Sequence, residues 1–292
     1  MNQISFDLAV LRSFVAGIDL GSFAKAADRV GRSTSAVSAQ MGKLEEQAGT
    51  TLFRKSGRSL ALTEAGETML RYARRLIELN DEAAVAMRSV HLEGWIRLGL
   101  QEDFGEVVLP DVLGRFARAH PKVRIEARVA RNTDLLERIG SNQLDLALVW
   151  GAPASELAEP VAVPHMCWIG SSSLPWTRDD DEPLPLIAFD RPCLFHSMAT
   201  EALDRAGIKW RVAFTSPSLA GLWAAAAAGL GVTVRTRYGL PSSVCALKSE
   251  ESGLPELPTI PLALLRASTV APAQVERLAS IVLDSVRGGP LQ

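Results

Sequence analysis

Cysteine, histidine and tyrosine are scarce in this 292-residue chain, which holds three, four and two of them. Cys167, Cys193 and Cys245 are too few and too scattered for a disulfide framework, and no pair has C-x-x-C spacing, so a cysteine zinc site is excluded as well. No window approaches 18 consecutive apolar residues, which excludes a spanning helix. The nearest stretch, Leu222-Trp223 with Ala224 to Ala228, is too short. The amino end lacks a basic segment followed by an apolar run, so no signal peptide is expected and the chain is expected in the cytoplasm, away from membranes. There is no G-x-S-x-G, no glycine-rich phosphate loop and no paired metal ligands, so neither an enzyme nor a cofactor is expected. Excess charge is missing too: the net charge of −2 excludes a chain that coats nucleic acid along its whole length.

What is present is an ordinary globular mix, 47% hydrophobic and 22% charged, in a chain longer than one typical domain. The charge is unevenly placed. Residues 1–62 hold eight Lys/Arg against five acids, a surplus of +3 that leaves −5 on the remainder. A basic front end on an acidic body suits a DNA-binding head on a sensor.

Leu8, Leu11, Phe14, Val15 and Ile18 recur at helical spacing, and Gly21 ends that helix. Ser22 can cap a second helix with Phe23, Ala26, Ala27 and Val30 on its apolar face, the alanines allowing close approach of a neighbour. Gly31 supplies a left-handed turn, and Ser33 caps a third helix with Val37, Met41, Leu44 and Ala48 inward. Its other face carries Thr34, Ser35, Ser38, Gln40 and Lys43, short polar groups that can reach base edges and phosphates. Arg32 and Ser33 stand at its entry. Two short strands flank Lys55-Ser56-Gly57-Arg58 and, with Arg54, make a cationic wing. Thr63 caps a long helix with Glu64 and Glu67 in its first turn. Leu70, Ala73, Ile77, Ala84, Met87 and a position near Val90 read as a coiled-coil seam awaiting a partner chain.

After Gly94 strands and helices alternate, which argues a mainly parallel sheet. Phe104 to Ala119 reads as one helix, Ala199 to Ala206 as another, and the Pro-rich stretches 153–164 and 175–192 as crossover and loops. The α/β pattern repeats once, and a last amphipathic helix runs from Pro272 to Arg287.

Taken together, Gly21-Ser22-Phe23-x-x-Ala26-Ala27, Ser35-x-x-Ser38, Gly49-x-x-Leu52-Phe53-Arg54 and Leu62-Thr63-x-x-Gly66 resemble the LysR-type transcriptional regulators. Ile96-Arg97-Leu98-Gly99, His120-Pro121, Leu144-Asp145-Leu146-Ala147 and Gly229-Leu230-Gly231-Val232 extend the likeness to the rest of the chain. The resemblance implies an α/β protein overall, with a winged helix-turn-helix at 6–63, a dimerising linker helix at 64–92 and an effector domain at 93–292. That domain would be two-lobed and like a type 2 periplasmic binding protein, its first lobe built from 93–162 and 265–292 and its second from 163–264. The implied partners are double-stranded DNA, further copies of the chain in dimers or tetramers, and RNA polymerase. By position, Thr34, Ser35, Ser38 and Gln40 would face the groove, while Lys43, Arg54 and Arg58 would meet phosphates or the minor groove.

A small-molecule effector is expected between the lobes, where strand ends face each other. Gln101, Glu102, Phe104, Asn132, Trp150, Phe195, His196, Thr215 and Ser216 are the candidate liners. Where carboxylate-binding relatives carry Ser or Thr, this chain has Gln101-Glu102-Asp103-Phe104, and two acids there would repel an anion at close range. Two rivals stand beside this reading. One is a solute-binding module, which leaves the basic head unexplained. The other is redox sensing through Cys193 with Cys167 or Cys245. His196 near Cys193 and Asp190 reads as a loop histidine beside a buried thiol.

Overall fold

The structure, a computed structural model, describes residues 4–56, 59–88, 92–152, 154–175 and 181–288. The chain divides into two compact units, Met1–Val90 and His91–Gln292.

The first unit is built on three short helices. Helix α1 (Leu8–Asp19) starts where the Asp7 carboxylate accepts from the Ala9 amide. Helix α2 (Phe23–Arg29) is capped by Ser22 and α3 (Thr34–Ala48) by Ser33. Gly31 and Gly49 take positive φ, the backbone region that favours glycine at a helix exit. A Cβ on Gly17 would overlap the Phe23 ring, so the crossing of α1 and α2 requires glycine there. Val10, Leu11, Phe14, Val37, Met41, Leu44 and Leu52 close the core. Strands β1 (Phe53–Ser56) and β2 (Ser59–Leu62) pair antiparallel, Phe53 opposite Leu62. The Glu45 carboxylate accepts from the Leu52 and Phe53 amides at 2.7 and 3.3 Å, tying the wing to α3.

Helix α4 (Glu64–Arg88) carries a correction. Ala73, with Leu70 and Ile77, packs on α1 inside the unit's own core and does not wait for a partner chain. Arg74–Asp19 at 2.6 Å and an Arg12–Asp81 pair hold the same two helices together. Ala84 and Met87, farther along the expected seam, are exposed, and Met87 continues an exposed apolar row that otherwise lies beside the seam, at Tyr72, Leu76 and Leu79. Val90, near the proposed seam's end, lies outside the described residues.

In the second unit, β3 (Gly94–Leu100) leads to a short α5 (Glu102–Gly105) and then α6 (Leu109–Ala119). One helix was expected here. The break fits Pro110, whose missing N–H suits the first turn of a new helix and not the interior of a continuing one. Then come β4 (Val123–Val129), α7 (Asn132–Gly140), β5 (Leu146–Trp150) and β6 (Ala158–Ala162). Next are β7 (Cys167–Ser171), β8 (Leu184–Phe189), α8 (Leu194–Arg205), β9 (Trp210–Ser216) and α9 (Leu219–Ala227). The unit ends with β10 (Thr233–Arg235), β11 (Val244–Ala246), α10 (Ser249–Ser252), β12 (Leu262–Arg266) and α11 (Ala273–Arg287).

Sheet order is β4-β3-β5-β12-β6 in the five-stranded sheet, with β10-β7-β11 and β8-β9 elsewhere. The strands β3, β4 and β5 are parallel, as are β8 and β9. The expectation of a mainly parallel arrangement fails beyond them: β12 runs antiparallel to both β5 and β6, and β7 is antiparallel to both its neighbours. Strand β6 also lies in a stretch read as crossover. Its proline at 160 is no obstacle, because β6 is the outer strand and a missing ladder N–H costs little there. Trp150, Trp168 and Phe104 are fully buried in the shared core. Among the described residues no helix is long and apolar enough to cross a membrane.

Candidate functional site

Two surfaces carry the chemistry, one on each unit. On the first, Ser33 caps α3 by accepting from the Ala36 amide at 3.2 Å, and its hydroxyl lies 3.1 Å from that of Ser35. Arg32, Ser33, Thr34, Ser35, Ser38 and Lys43 are all exposed. They form one polar row, because Val37, Met41 and Leu44 take up the opposite side of the helix. Gln40 does not join that row. It is half-buried at the border between that row and the buried side, and its Oε1 is buried without a partner. Arg54 is exposed on the wing, and its Nε donates to the Leu62 carbonyl at 3.1 Å, which orients the guanidinium along the strand pair. The Lys55 side chain and Arg58 lie outside the described residues.

The second surface is a cavity of about 300 Å³ in the second unit. It opens at the carboxyl ends of the parallel strands β3, β4 and β5, where Gln101, Arg131 with Asn132, and Trp150 stand. Across from them lie Phe189 at the end of β8, the Pro192–Phe195 segment, and Arg235 at the end of β10. Five of the candidate liners meet here: Gln101, Glu102, Asn132, Trp150 and Phe195.

Asn132 is a brace within this wall. Its side chain accepts from the Trp150 amide at 3.0 Å, donates to the Trp150 carbonyl at 2.8 Å, and receives Gln101 Nε2. Two liners on the β3–β5 side bond to segments that follow or pack on β8. Glu102 Oε2 accepts from the Leu219 amide at 2.5 Å, in the first turn of α9. Arg131 donates to the Asp190 carbonyl and, at 2.7 Å, to that of Pro192. The Glu102 carboxylate is thus held at a helix terminus and keeps its charge beside the cavity.

Four candidates fall elsewhere. Phe104 is fully buried, its ring centroid 4.7 Å from Tyr238 and 5.3 Å from Trp150, so it supports the wall from behind. His196 is not in a loop but in the first turn of α8, 7% exposed, with its ring edge-on to Trp210 at 5.9 Å. Burial, then the charge of nearby Arg191, hold its imidazole below the ordinary histidine range. Thr215 is an exposed residue of β9. Ser216 is buried, and its hydroxyl accepts from the Ser218 amide at 3.2 Å beside the start of α9.

The sequence reading missed Arg131, Phe189, Cys193 and Arg235 as liners, and placed Asp103 beside the ligand only as one of two acids that repel an anion. Arg235 had a faint signal: a cation directly after the buried run Val232-Thr233-Val234. The thiols divide. Cys167 donates to the Arg235 carbonyl at 3.3 Å, and burial pushes it up to about 11, away from thiolate chemistry. Cys193 lines the cavity, while Cys245 is exposed on β11. Among the described residues no three His, Cys, Asp or Glu stand together as a metal site.

Known proteins resemble the chain along its whole length. The LysR substrate binding domain matches residues 89–287, and the lysR-family bacterial regulatory helix-turn-helix matches residues 8–67. The HTH-type transcriptional regulator DgdR of Burkholderia cepacia is 35% identical, over 89% of this chain and 87% of its own. The corresponding figures for PecT of Dickeya dadantii, also an HTH-type transcriptional regulator, are 34%, 87% and 80%. Among solved structures, a full-length OxyR variant from Pseudomonas aeruginosa aligns with a TM-score of 0.51 at 21% identity, covering 97% of this chain and all of that one. DarR of Vibrio fischeri, solved in complex with DNA, aligns with a TM-score of 0.51 at 14% identity, covering 96% and 99%. At these identities the structures share the fold.

Proposed function

Since the chain belongs to the LysR family of transcriptional regulators and is a DNA-binding regulator by that membership, we propose that it acts as a homodimer whose grip on DNA is set by a small molecule in the 300 Å³ cavity. The observation that carries the effector reading is the pair of contacts that two cavity liners make to the β8 side, Glu102 to Leu219 and Arg131 to Asp190 and Pro192. A ligand that binds between the two walls changes how they are held, and a difference in affinity for two arrangements is what shifts a population.

On the DNA side, Thr34, Ser35 and Ser38 read bases while Arg32, Lys43 and Arg54 neutralise phosphates. Pairing of two chains through α4 uses the exposed row Tyr72, Leu76, Leu79 and Met87, beside an apolar groove lined by Ile4, Phe6 and Met69. The chain performs no turnover in this scheme, and RNA polymerase is the partner through which occupancy becomes transcription.

Selection from a random duplex pool with the full chain tests the scheme. The expected product is an inverted repeat with half-sites about one helical turn, or ~34 Å, apart. A single half-site, or no enrichment at low salt, overturns it.

A further inference from the structure

Asp103 and Arg235 stand side by side in the wall of the ligand cavity, with side chains 2% and 3% exposed. Their nearest atoms, Asp103 Oδ1 and Arg235 Nε, are 3.9 Å apart, beyond hydrogen-bond range, and both are buried without a hydrogen-bond partner. No other hydrogen bond to either charged group is made among the described residues. Trp150 Nε1, in the same wall, is also buried and unpartnered. Only six such side-chain atoms occur among the described residues, and three of them belong to this one cavity.

Buried charges are costly unless they are paired and hydrogen-bonded. The other two ionic liners meet that rule within the protein, Glu102 at the α9 amide and Arg131 at two carbonyls. Asp103 and Arg235 do not. Arg235 is nevertheless held firmly, its guanidinium carbon 4.4 Å from the centroids of both the Phe189 and Phe195 rings. A cation clamped between two ring faces keeps its N–H groups free for an acceptor.

Resting on the regulator reading above, we infer that the cavity takes a free α-amino acid with an apolar side chain. Its carboxylate accepts from Arg235 and its ammonium donates to Asp103. The geometry fits one carbon between the two groups: Oδ1 and Nε are sealed, so the ligand meets the other Asp103 oxygen and the outer Arg235 N–H groups, and charge-assisted bonds of about 2.8 Å fall to two neighbouring ligand atoms because the charged groups are only 3.9 Å apart at their nearest. Charge agrees. Glu102, Asp103, Arg131 and Arg235 sum to zero, so a zwitterion leaves the cavity balanced where a simple carboxylate or amine leaves it charged. Size agrees as well, since about 300 Å³ is the low end of ligand cavities. Phe189, Phe195, Leu194 and Pro192 offer the apolar remainder of the wall.

Calorimetry and thermal shift on the full chain test this with leucine, valine, alanine and phenylalanine at millimolar concentration. Each is compared with its deaminated acid and its decarboxylated amine, for leucine 4-methylpentanoate and 3-methylbutylamine. At least one amino acid is expected to bind and raise the melting temperature, with both of its analogues about tenfold or more weaker. Asp103→Asn should reduce the preference for the amino acid over the deaminated acid. If that variant does not fold, the comparison on the unaltered chain decides. A deaminated acid that binds as well as its amino acid overturns the inference, and so does a panel in which no amino acid binds. DNA binding is measured on the same preparation. Retained duplex binding with no amino acid bound sinks the ligand class and leaves the regulator; an amino acid that binds without altering duplex affinity keeps the ligand class and sinks the coupling.

Discussion

Thr34 and Ser38 stand one helical turn apart on the exposed side of α3, where a hydroxyl meets a base edge without steric bulk. Replacing either by Ala should change which duplexes are preferred, by about 1–3 kcal/mol at one position of the site; competition binding against single-base variants checks it, and equal loss on all sequences would count against base reading. Arg54 acts differently. Arg54→Ala should weaken binding to every duplex and lower the salt slope by about 1, read from titrations at several salt concentrations. His120 supplies a residue-scale effect on stability. Burial first, then the charge of Arg277, hold its imidazole below the ordinary 6.5. The folded pKa is thus below the unfolded one, so the unfolded chain binds more protons in that interval and stability falls as pH drops through about 6.5. His196 is shifted the same way. As pH falls through about 6.5 the second unit should lose stability, and a His120→Gln, His196→Gln chain should show a flatter profile in pH-dependent denaturant melts.

Helices α1 and α2 cross where only glycine fits, since a side chain at Gly17 would strike the Phe23 ring, itself edge-on to Phe53 at 5.4 Å. Gly17→Val should therefore destabilise the first unit by about 1–3 kcal/mol in denaturant unfolding. Helix α4 shows how periodicity can identify an element and mistake its contacts. Leu70, Ala73 and Ile77 do form an apolar stripe, but α1 covers it. The stripe left over, Tyr72, Leu76, Leu79 and Met87, has steps of four, three and eight and is equally helical. Two apolar faces are what the proposed dimer requires of a helix covered by α1 on one side and paired on another. Leu79→Glu should weaken self-association about tenfold or more, because burying one Leu is worth ~1.5–3 kcal/mol; light scattering over a dilution series reads this directly.

Across the whole molecule, recognition is divided between a basic head that meets DNA and a second unit that encloses a cavity between strand ends. The ligand cavity collects residues from β3 to β10, over a hundred positions of chain, and so depends on sheet order more than on any local motif. Gln101, Asn132 and Trp150 could be named in advance because they follow or end strands that read clearly as strands. Arg235 could not, and Asp103 could be placed there without its partner, because the meaning of each lies in standing beside the other.

The helix-turn-helix, the wing and the alternation of strands and helices follow from local rules: period, caps and turn glycines act over a few residues. Membership of the LysR family follows from the same local runs. Whether a strand at 262–266 would enter the sheet antiparallel beside β5, which stripe of α4 stays uncovered, and which charges meet in the cavity were decided by tertiary structure. Those outcomes depend on contacts between residues far apart in the chain, and the free energy of a buried pair belongs to the pair, so neither residue announces it alone.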